Sequence, residues 1–168
     1  MKTSREPADY EERLSLLFEA QRRGDTEYLI EALRREHDVS TLPAKWLAER
    51  GVTEAIPALV ELLDVANPRA RCSAISALEK LGPPLEAKPR LVEMARTDDD
   101  RYVRGWAAPI LGDYDGGEEI TGLLLSLLDD SDWFVSSGAA TGLGRHGDVV
   151  ALGPLKTRLR QLRRSPHA

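Results

Sequence analysis

The sequence has few of the residues that many folds and sites require. Of its 168 residues one is a cysteine and three are histidines, and aromatic residues make up 5%. A single cysteine, Cys72, excludes an intramolecular disulfide, and three histidines without a shared spacing do not indicate a zinc site. The start of the chain, MKTSREPADYEERL, has no apolar run. It therefore predicts neither a signal peptide nor a membrane span, and the cytoplasm is the expected compartment.

Strand patterns are missing as well. β-Branched residues do not alternate with polar residues along any segment, as they would in a half-buried strand. The chain is 42% apolar and 30% charged, which is typical of a soluble globular protein of this length. Because aromatics are few, the core must consist of Leu, Ala, Ile and Val, which suits close packing of helices. We therefore expect an all-α protein.

The chain has no overall excess of positive charge. Its formal net charge is -5, although residues 149–168 are basic. The basic residues of this C-terminal segment are Lys156, Arg158, Arg160, Arg163 and Arg164. The rest of the chain is therefore strongly acidic and would repel phosphate backbones, which argues against a nucleic-acid groove. Only the C-terminal segment has the charge to bind an anion.

One helix pattern is repeated along the chain. The segment NPRARCSAISALEKLG at residues 67–82 returns as DRYVRGWAAPILGD from Asp100 and as DWFVSSGAATGLGRHG from Asp132. A more divergent copy, VSTLPAKWLAERG, begins at Val39. Each of the four copies has an apolar residue at the same place, and successive ones are separated by 31, 33 and 32 residues: Val39, Ala70, Val103 and Val135. Three residues before the last three of these, the sequence places predicted helix N-caps, at Asn67, Asp100 and Asp132.

A preceding helix repeats with the same period. Its landmarks are predicted to lie in the first turn and are separated by 32, 32 and 33 residues, at Pro57, Pro89, Thr121 and Pro154. Each is followed by a one-sided apolar stripe. One amphipathic pair cannot bury its apolar face alone, so neighbouring pairs must stack. The predicted fold is an α-solenoid of stacked antiparallel helix pairs.

We expect a single solenoid domain over residues 1–168, in six parts. The predicted parts are an N-terminal capping helix at 1–24, helix pairs at 25–51, 52–82, 83–113 and 114–148, and a basic C-terminal capping helix at 149–168. In the last helix the leucines are expected to face the stack, namely Leu152, Leu155, Leu159 and Leu162. The expected oligomeric state is a monomer.

The repeated pattern resembles a known family. Leucine-rich first helices, an Asp or Asn turn, and then Val-Arg-x-x-Ala and Leu-Gly-Asp, clearest in VRGWAAPILGD, resemble HEAT repeats. The short period is similar to the bacterial HEAT-like class associated with phycobilisome lyase proteins. The resemblance spans about residues 25–164, and its first copy departs most, because Pro43 and Trp46 replace small residues. Trp46 is expected in the core. The resemblance implies the fold but several functions, since the family includes scaffolds, adaptors, chromophore lyases and DNA-repair enzymes.

A candidate binding surface lies on the second helices, which in HEAT-like solenoids usually line the concave surface. Positions at equal offsets from the predicted core residues of these helices share the opposite face. They predict an aromatic patch of Tyr102, Trp106 and Phe134, with Trp133 at its edge and with Arg69 and Arg104 nearby. Exposed aromatic residues and arginine are frequent anchors in protein interfaces.

Two irregularities beside this patch allow two interpretations. Pro109 lies inside a predicted helix and would free the carbonyl of Gly105, and Gly138, Gly142 and Gly144 weaken the next helix. Such departures from local rules often mark functional sites. Glycines also permit close contact between helices, so a structural origin stays open.

No pattern predicts catalysis, a cofactor or a metal site. The acidic turns at 98–100 and 129–132 each contain a predicted cap, and a Ser137, His146 and Asp148 triad has no nucleophile elbow beside it. The expected function is a non-catalytic module or scaffold that binds a protein or peptide on the concave surface. One alternative is an enzyme or enzyme subunit of the bilin lyase type. Another, which the acidic body disfavours, is nucleic-acid binding as in DNA repair.

Overall fold

A computed structural model describes residues 10–35, 39–115, 117–147 and 149–164, and within the last range the side chains of residues 158, 159 and 161–164 are not described. The described residues form helices and turns without a strand, so the predicted all-α class is confirmed. No helix in these ranges is long and apolar enough to cross a membrane. The chain divides into two compact units, Met1–Leu81 and Gly82–Ala168.

The first unit contains five α-helices among its described residues. They are α1 (Tyr10–Arg23), α2 (Thr26–Arg35), α3 (Thr41–Glu49), α4 (Ile56–Glu61) and α5 (Pro68–Leu81), with 3₁₀ turns at Thr53–Ala55 and Leu62–Asp64. Helix α2 packs on α3 and α4 on α5, and the layers form because α2 also contacts α4 and α3 contacts α5. Helix α1 packs on α2 and α3.

Leucine and alanine side chains fill the core of this first unit. Leu17, Leu33, Leu47 and Leu78 are fully buried, and each such side chain contributes roughly 1.5–3 kcal/mol. Trp46 was expected in the core as well, but it is only half-buried. Its ring lies against Phe18, with 5.2 Å between the ring centroids. The indole is larger than the alanine or isoleucine that later copies of the helix have at this position, and part of it stays in solvent.

The second unit repeats the same two layers. Its helices are α6 (Lys88–Thr97), α7 (Arg101–Leu111), α8 (Gly117–Leu127), α9 (Trp133–His146) and α10 (Leu152–Arg164), with 3₁₀ turns at Leu85–Ala87 and Val149–Ala151. Helix α6 packs on α7 and α8 on α9, while α6 contacts α8 and α7 contacts α9. The predicted stacking of helix pairs, and with it the α-solenoid class, is confirmed.

Two predicted positions in the second unit are wrong. Thr121 is the fifth residue of α8 and is buried, so it does not lie in the first turn. Without a proline at this position the helix begins earlier, and its first turn contains Glu118 and Glu119. Carboxylates favour a helix N-terminus. Leu152 is 52% exposed and does not face the stack. Leu155 is half-buried, and the side chains of Leu159 and Leu162 lie outside the described residues.

The predicted N-caps are confirmed, and they share one construction. The side chains of Asp100 and Asp132 each accept a hydrogen bond from the backbone amide two residues later, at 2.8 and 2.9 Å. Asp98 and Asp130 in turn accept from the backbone amide of the capping residue itself, at 3.0 and 2.8 Å. Asn67 caps α5 in the first unit in the same way, at 3.0 Å. The acidic turns are therefore built for capping.

Glycines bring the backbones of α7 and α9 into direct contact. A Cβ added at Gly138 would come within 3.0 Å of the carbonyl oxygen of Gly105, the group whose helical partner Pro109 removes. A Cβ added at Gly142 would lie 2.5 Å from the carbonyl oxygen of Ala108. Contacts of this kind place Cα hydrogens near carbonyl oxygens, where weak hydrogen bonds form. Three of the irregularities seen in the sequence, Pro109, Gly138 and Gly142, thus have a structural role, whereas Gly144 makes no such contact.

The two neighbouring glycines of α9 should respond in opposite ways to alanine. Gly142→Ala forces a methyl group against the backbone of α7, and we expect it to destabilise the protein by about 1–3 kcal/mol. Gly144 has no atom within 4 Å of an added Cβ, so Gly144→Ala should stabilise by up to about 1 kcal/mol through helix propensity. Urea unfolding of both variants measures the difference. Equal effects of the two substitutions would contradict the close contact.

Candidate protein-binding site

Four aromatic side chains of the second unit form a connected cluster around Phe134. The distances from its ring centroid to those of Tyr102, Trp106 and Trp133 are 5.6, 6.1 and 5.8 Å. Each neighbour meets Phe134 at an interplanar angle of 61° to 82°, the edge-to-face arrangement that aromatic quadrupoles favour. We refer to these four residues as the aromatic cluster. The structure thus brings together four of the six residues that the sequence predicted for a binding surface.

The aromatic cluster is open to solvent. Trp133 is 72% exposed, Tyr102 48% and Trp106 39%, whereas Phe134 is half-buried. Tyr102 begins the first turn of α7 with Arg101, and Trp106 follows one turn later on the same face. Phe134 holds the equivalent place on α9, so the contact between the two helices sets the rings side by side. The result is a contiguous apolar patch, which often marks an interaction surface.

A glycine makes room for the central ring. A Cβ added at Gly105 would lie 2.5 Å from Cε1 of Phe134 and closer still to Cδ1. Any larger residue at this position would push Phe134 away from α7. Glycine inside a helix destabilises it by about 1 kcal/mol relative to alanine. At position 105 glycine allows the Phe134 ring to pack directly against α7.

An arginine that sequence reasoning missed completes the edge of the cluster. The guanidinium of Arg101 lies over the ring of Tyr102, 4.7 Å from its centroid, and donates to the Tyr102 hydroxyl at 2.9 Å. It also donates to Oδ2 of Asp132 at 3.0 Å. The Phe134 amide, together with Arg101, holds the pKa of the Asp132 carboxyl below its usual range. The repeat length contained a signal, because Arg101 precedes the predicted cap Asp132 by 31 residues, one period.

The two predicted arginines have other surroundings. Arg104 donates from Nη1 to the carbonyl oxygen of Asp98 at 2.8 Å, and its Nε lies 3.8 Å from Oδ2 of Asp130. Arg71 makes the equivalent bonds to the carbonyls of residues 65 and 66, both at 2.9 Å. Arg104 therefore stabilises the turn before α7. Arg69 is exposed on α5 and belongs to the first unit.

Phe134 and Trp133 differ in how much each contributes to the stability of the fold. Phe134→Ala removes three ring contacts and leaves a gap beside Gly105, so we expect it to destabilise the protein by about 2 kcal/mol. Trp133→Ala removes a side chain that is mostly in solvent, and its effect should stay within about 0.5 kcal/mol. Thermal unfolding of the two variants tests this. A larger loss for Trp133→Ala than for Phe134→Ala would refute the central place of Phe134.

Similarity to known proteins agrees with the two-layer fold. The family model described as HEAT repeats matches residues 26–112 and 89–165. The chain belongs to the HEAT repeat family. HEAT repeats build helical scaffolds, and this chain stacks its helix pairs in that way. No curated protein sequence matches the chain significantly.

Two solved structures share the fold of this chain. One is a chain in the complex of CpcE and CpcF of phycocyanin lyase from Nostoc sp., with a TM-score of 0.62 and 24% identity over 86% of this chain and 92% of that one. The other is an engineered protein, with a TM-score of 0.59 and 22% identity over 85% of this chain and 73% of that one. At these identities the likeness concerns the fold. The predicted resemblance to HEAT proteins with phycobilisome-lyase-type relatives is confirmed.

The described residues contain no group of three or more His, Cys, Asp or Glu side chains that could hold a metal ion. Three residues considered for catalysis or metal binding in the sequence, His37, Asp148 and His167, lie outside the described residues. Cys72 is half-buried on α5. The aromatic cluster therefore stays the best-defined candidate site in the described part of the chain.

Proposed function

We propose that this HEAT repeat protein is a non-catalytic interaction module, and that the aromatic cluster on α7 and α9 binds a protein or peptide partner. The observation that carries this proposal is the cluster itself: three rings more than a third exposed, arranged edge-to-face around Phe134. Tyrosine and tryptophan supply large contact areas and are enriched among the residues that dominate binding energies.

Preorganisation supports the same proposal. A side chain that is already held in place loses little conformational freedom when a partner binds. The ring of Phe134 is fixed by Gly105, and the edges of the cluster are tied by the Arg101 bonds to Tyr102 and Asp132. A surface that only covered the core would not need exposed tryptophans, since leucine or alanine covers a helix contact equally well.

Lyase chemistry is the alternative hypothesis. The solved phycocyanin lyase complex has the same fold as this chain, but at 24% identity the likeness does not extend to activity. A lyase would have to bind a bilin and a protein that accepts it through a cysteine. A partner search with the intact protein distinguishes the two hypotheses, because an interaction module binds its protein partner when no bilin is present.

Replacement of the two tryptophans tests the proposed surface. Trp106→Ala with Trp133→Ala should abolish the retention of a specific partner from an extract of the native cells, since loss of such anchors weakens binding by roughly 2 kcal/mol or more each. The matched control is Leu85→Ala, another large apolar residue of the second unit, which is 73% exposed and lies in a different turn. Quantitative mass spectrometry of the captured proteins gives the readout.

The proposal fails if the double variant retains the same proteins as the parent while its thermal unfolding is unchanged. Retention of a bilin or a bilin-bearing protein that depends on the tryptophans would instead favour the lyase alternative. Loss of the partner in the Leu85→Ala control as well would show that capture reports general apolar adhesion and would also contradict the proposed site.

A further inference from the structure

The turns around the aromatic cluster are strongly acidic. Residues 98–104 and 129–134 together contain six aspartates and two arginines. Four of the aspartates build the turns: Asp98, Asp100, Asp130 and Asp132 accept the backbone bonds that cap α7 and α9. These carboxylates also offset the partial positive charge of the two helix N-termini. The remaining two acids are not needed for capping.

Asp99 and Asp129 are those two remaining acids. Both are exposed, and neither carboxylate makes a hydrogen bond or ion pair with any described residue. Asp99 sits in the middle of the turn before α7, and Asp129 lies in the turn that leads into α9. They leave two full negative charges free for a partner at the same end of the helices as Tyr102 and Trp133.

Neither arginine in these segments balances that charge. Arg104 is bound to a backbone carbonyl and lies beside Asp130. Arg101 is bound to Asp132 and to the Tyr102 hydroxyl. The surface therefore offers a partner aromatic faces and carboxylates, and it has no free cation among the described residues of these two segments.

We propose that the occupant of the aromatic cluster is a basic segment of a partner protein, with at least one arginine that stacks on an exposed ring and pairs with Asp99 or Asp129. This inference rests on the proposed function and specifies its partner. Apolar rings bordered by free carboxylates fit a guanidinium, which has a flat, weakly hydrated face and a fork of donors at its edge. An acidic segment would meet like charge here.

The protein contains one example of this recognition within its own chain. The Arg101 guanidinium lies 4.7 Å from the Tyr102 ring centroid and donates at 3.0 Å to a neighbouring carboxylate, that of Asp132. A ring face and a carboxylate on adjacent helices thus already hold an arginine at the edge of the cluster. Trp133, which is 72% exposed, offers a larger face without such an occupant in the described structure.

Peptide binding tests the proposed chemistry directly. The probes are three short fluorescein-labelled peptides of the same length, in which arginine, lysine or glutamate alternates with alanine. We expect the arginine peptide to bind the full-length protein most tightly, the lysine peptide more weakly and the glutamate peptide not at all in fluorescence anisotropy. Added salt should weaken the arginine complex, because exposed charge pairs are screened.

Two charge variants distinguish the effect of the Asp99 and Asp129 carboxylates from the effect of the protein's net charge. Asp99→Asn with Asp129→Asn should weaken binding of the arginine peptide about threefold to tenfold, since exposed charge pairs each contribute only modestly. The matched control, Asp115→Asn with Glu118→Gln, removes the same two charges beyond the C-terminal end of α7 and should leave binding unchanged. Neither pair of substitutions removes a bond that holds the described fold.

Three outcomes would overturn the inference. They are equal weakening by the control variant, equal binding of the glutamate peptide, and absence of saturable binding of the arginine peptide. Self-association that depends on Asp99 and Asp129, measured by sedimentation, would overturn it as well, because the basic segment would then come from a second copy. If the native partner still needs Trp106 and Trp133 but binds the Asp99 and Asp129 variant normally, the proposed function stands and the basic partner does not.

Discussion

The contact between the backbones of α7 and α9 is the constraint on which the rest of the second unit depends. At positions 138 and 142 glycine leaves no side chain between the two helices, and an added methyl group at either would meet a carbonyl oxygen of α7. One of those oxygens, that of Gly105, is free to face α9 because Pro109 has removed its helical partner. Gly138, Gly142 and Pro109, which weaken helices in isolation, therefore serve one close helix contact.

This contact also determines where the aromatic rings lie. Phe134 occupies the space that Gly105 leaves open, and it gathers Tyr102, Trp106 and Trp133 around its edges. The capping turns add carboxylates at the same end of both helices. A repeat architecture that needs only small and aliphatic residues to stack thus carries exposed aromatic rings on the second helices of two neighbouring pairs, α7 and α9, with carboxylates in the turns before them.

Repetition in the sequence was sufficient to predict the helix pairs, their stacking and the caps, because each landmark recurs at one spacing and each has a local cause. The offsets also placed Tyr102, Trp106 and Phe134 on one face, with Trp133 at its edge. Side-chain partners were not predicted: the guanidinium of Arg104, a residue proposed for the binding surface, donates to a carbonyl of the turn before its own helix. The roles of Arg101 and Gly105 depend on how closely α9 approaches α7, and a pattern within one helix carries no information about the distance between two helices.

The most direct test of the account uses the indole N–H signals of the three tryptophans in isotope-labelled protein. On titration with the partner recovered by affinity capture, we expect the signals of Trp106 and Trp133 to shift, while the signal of Trp46, which packs on Phe18 in the first unit, stays unchanged. A shift confined to Trp46, or binding that leaves the Trp106 and Trp133 signals in place, would contradict the assignment of the aromatic cluster as the binding surface.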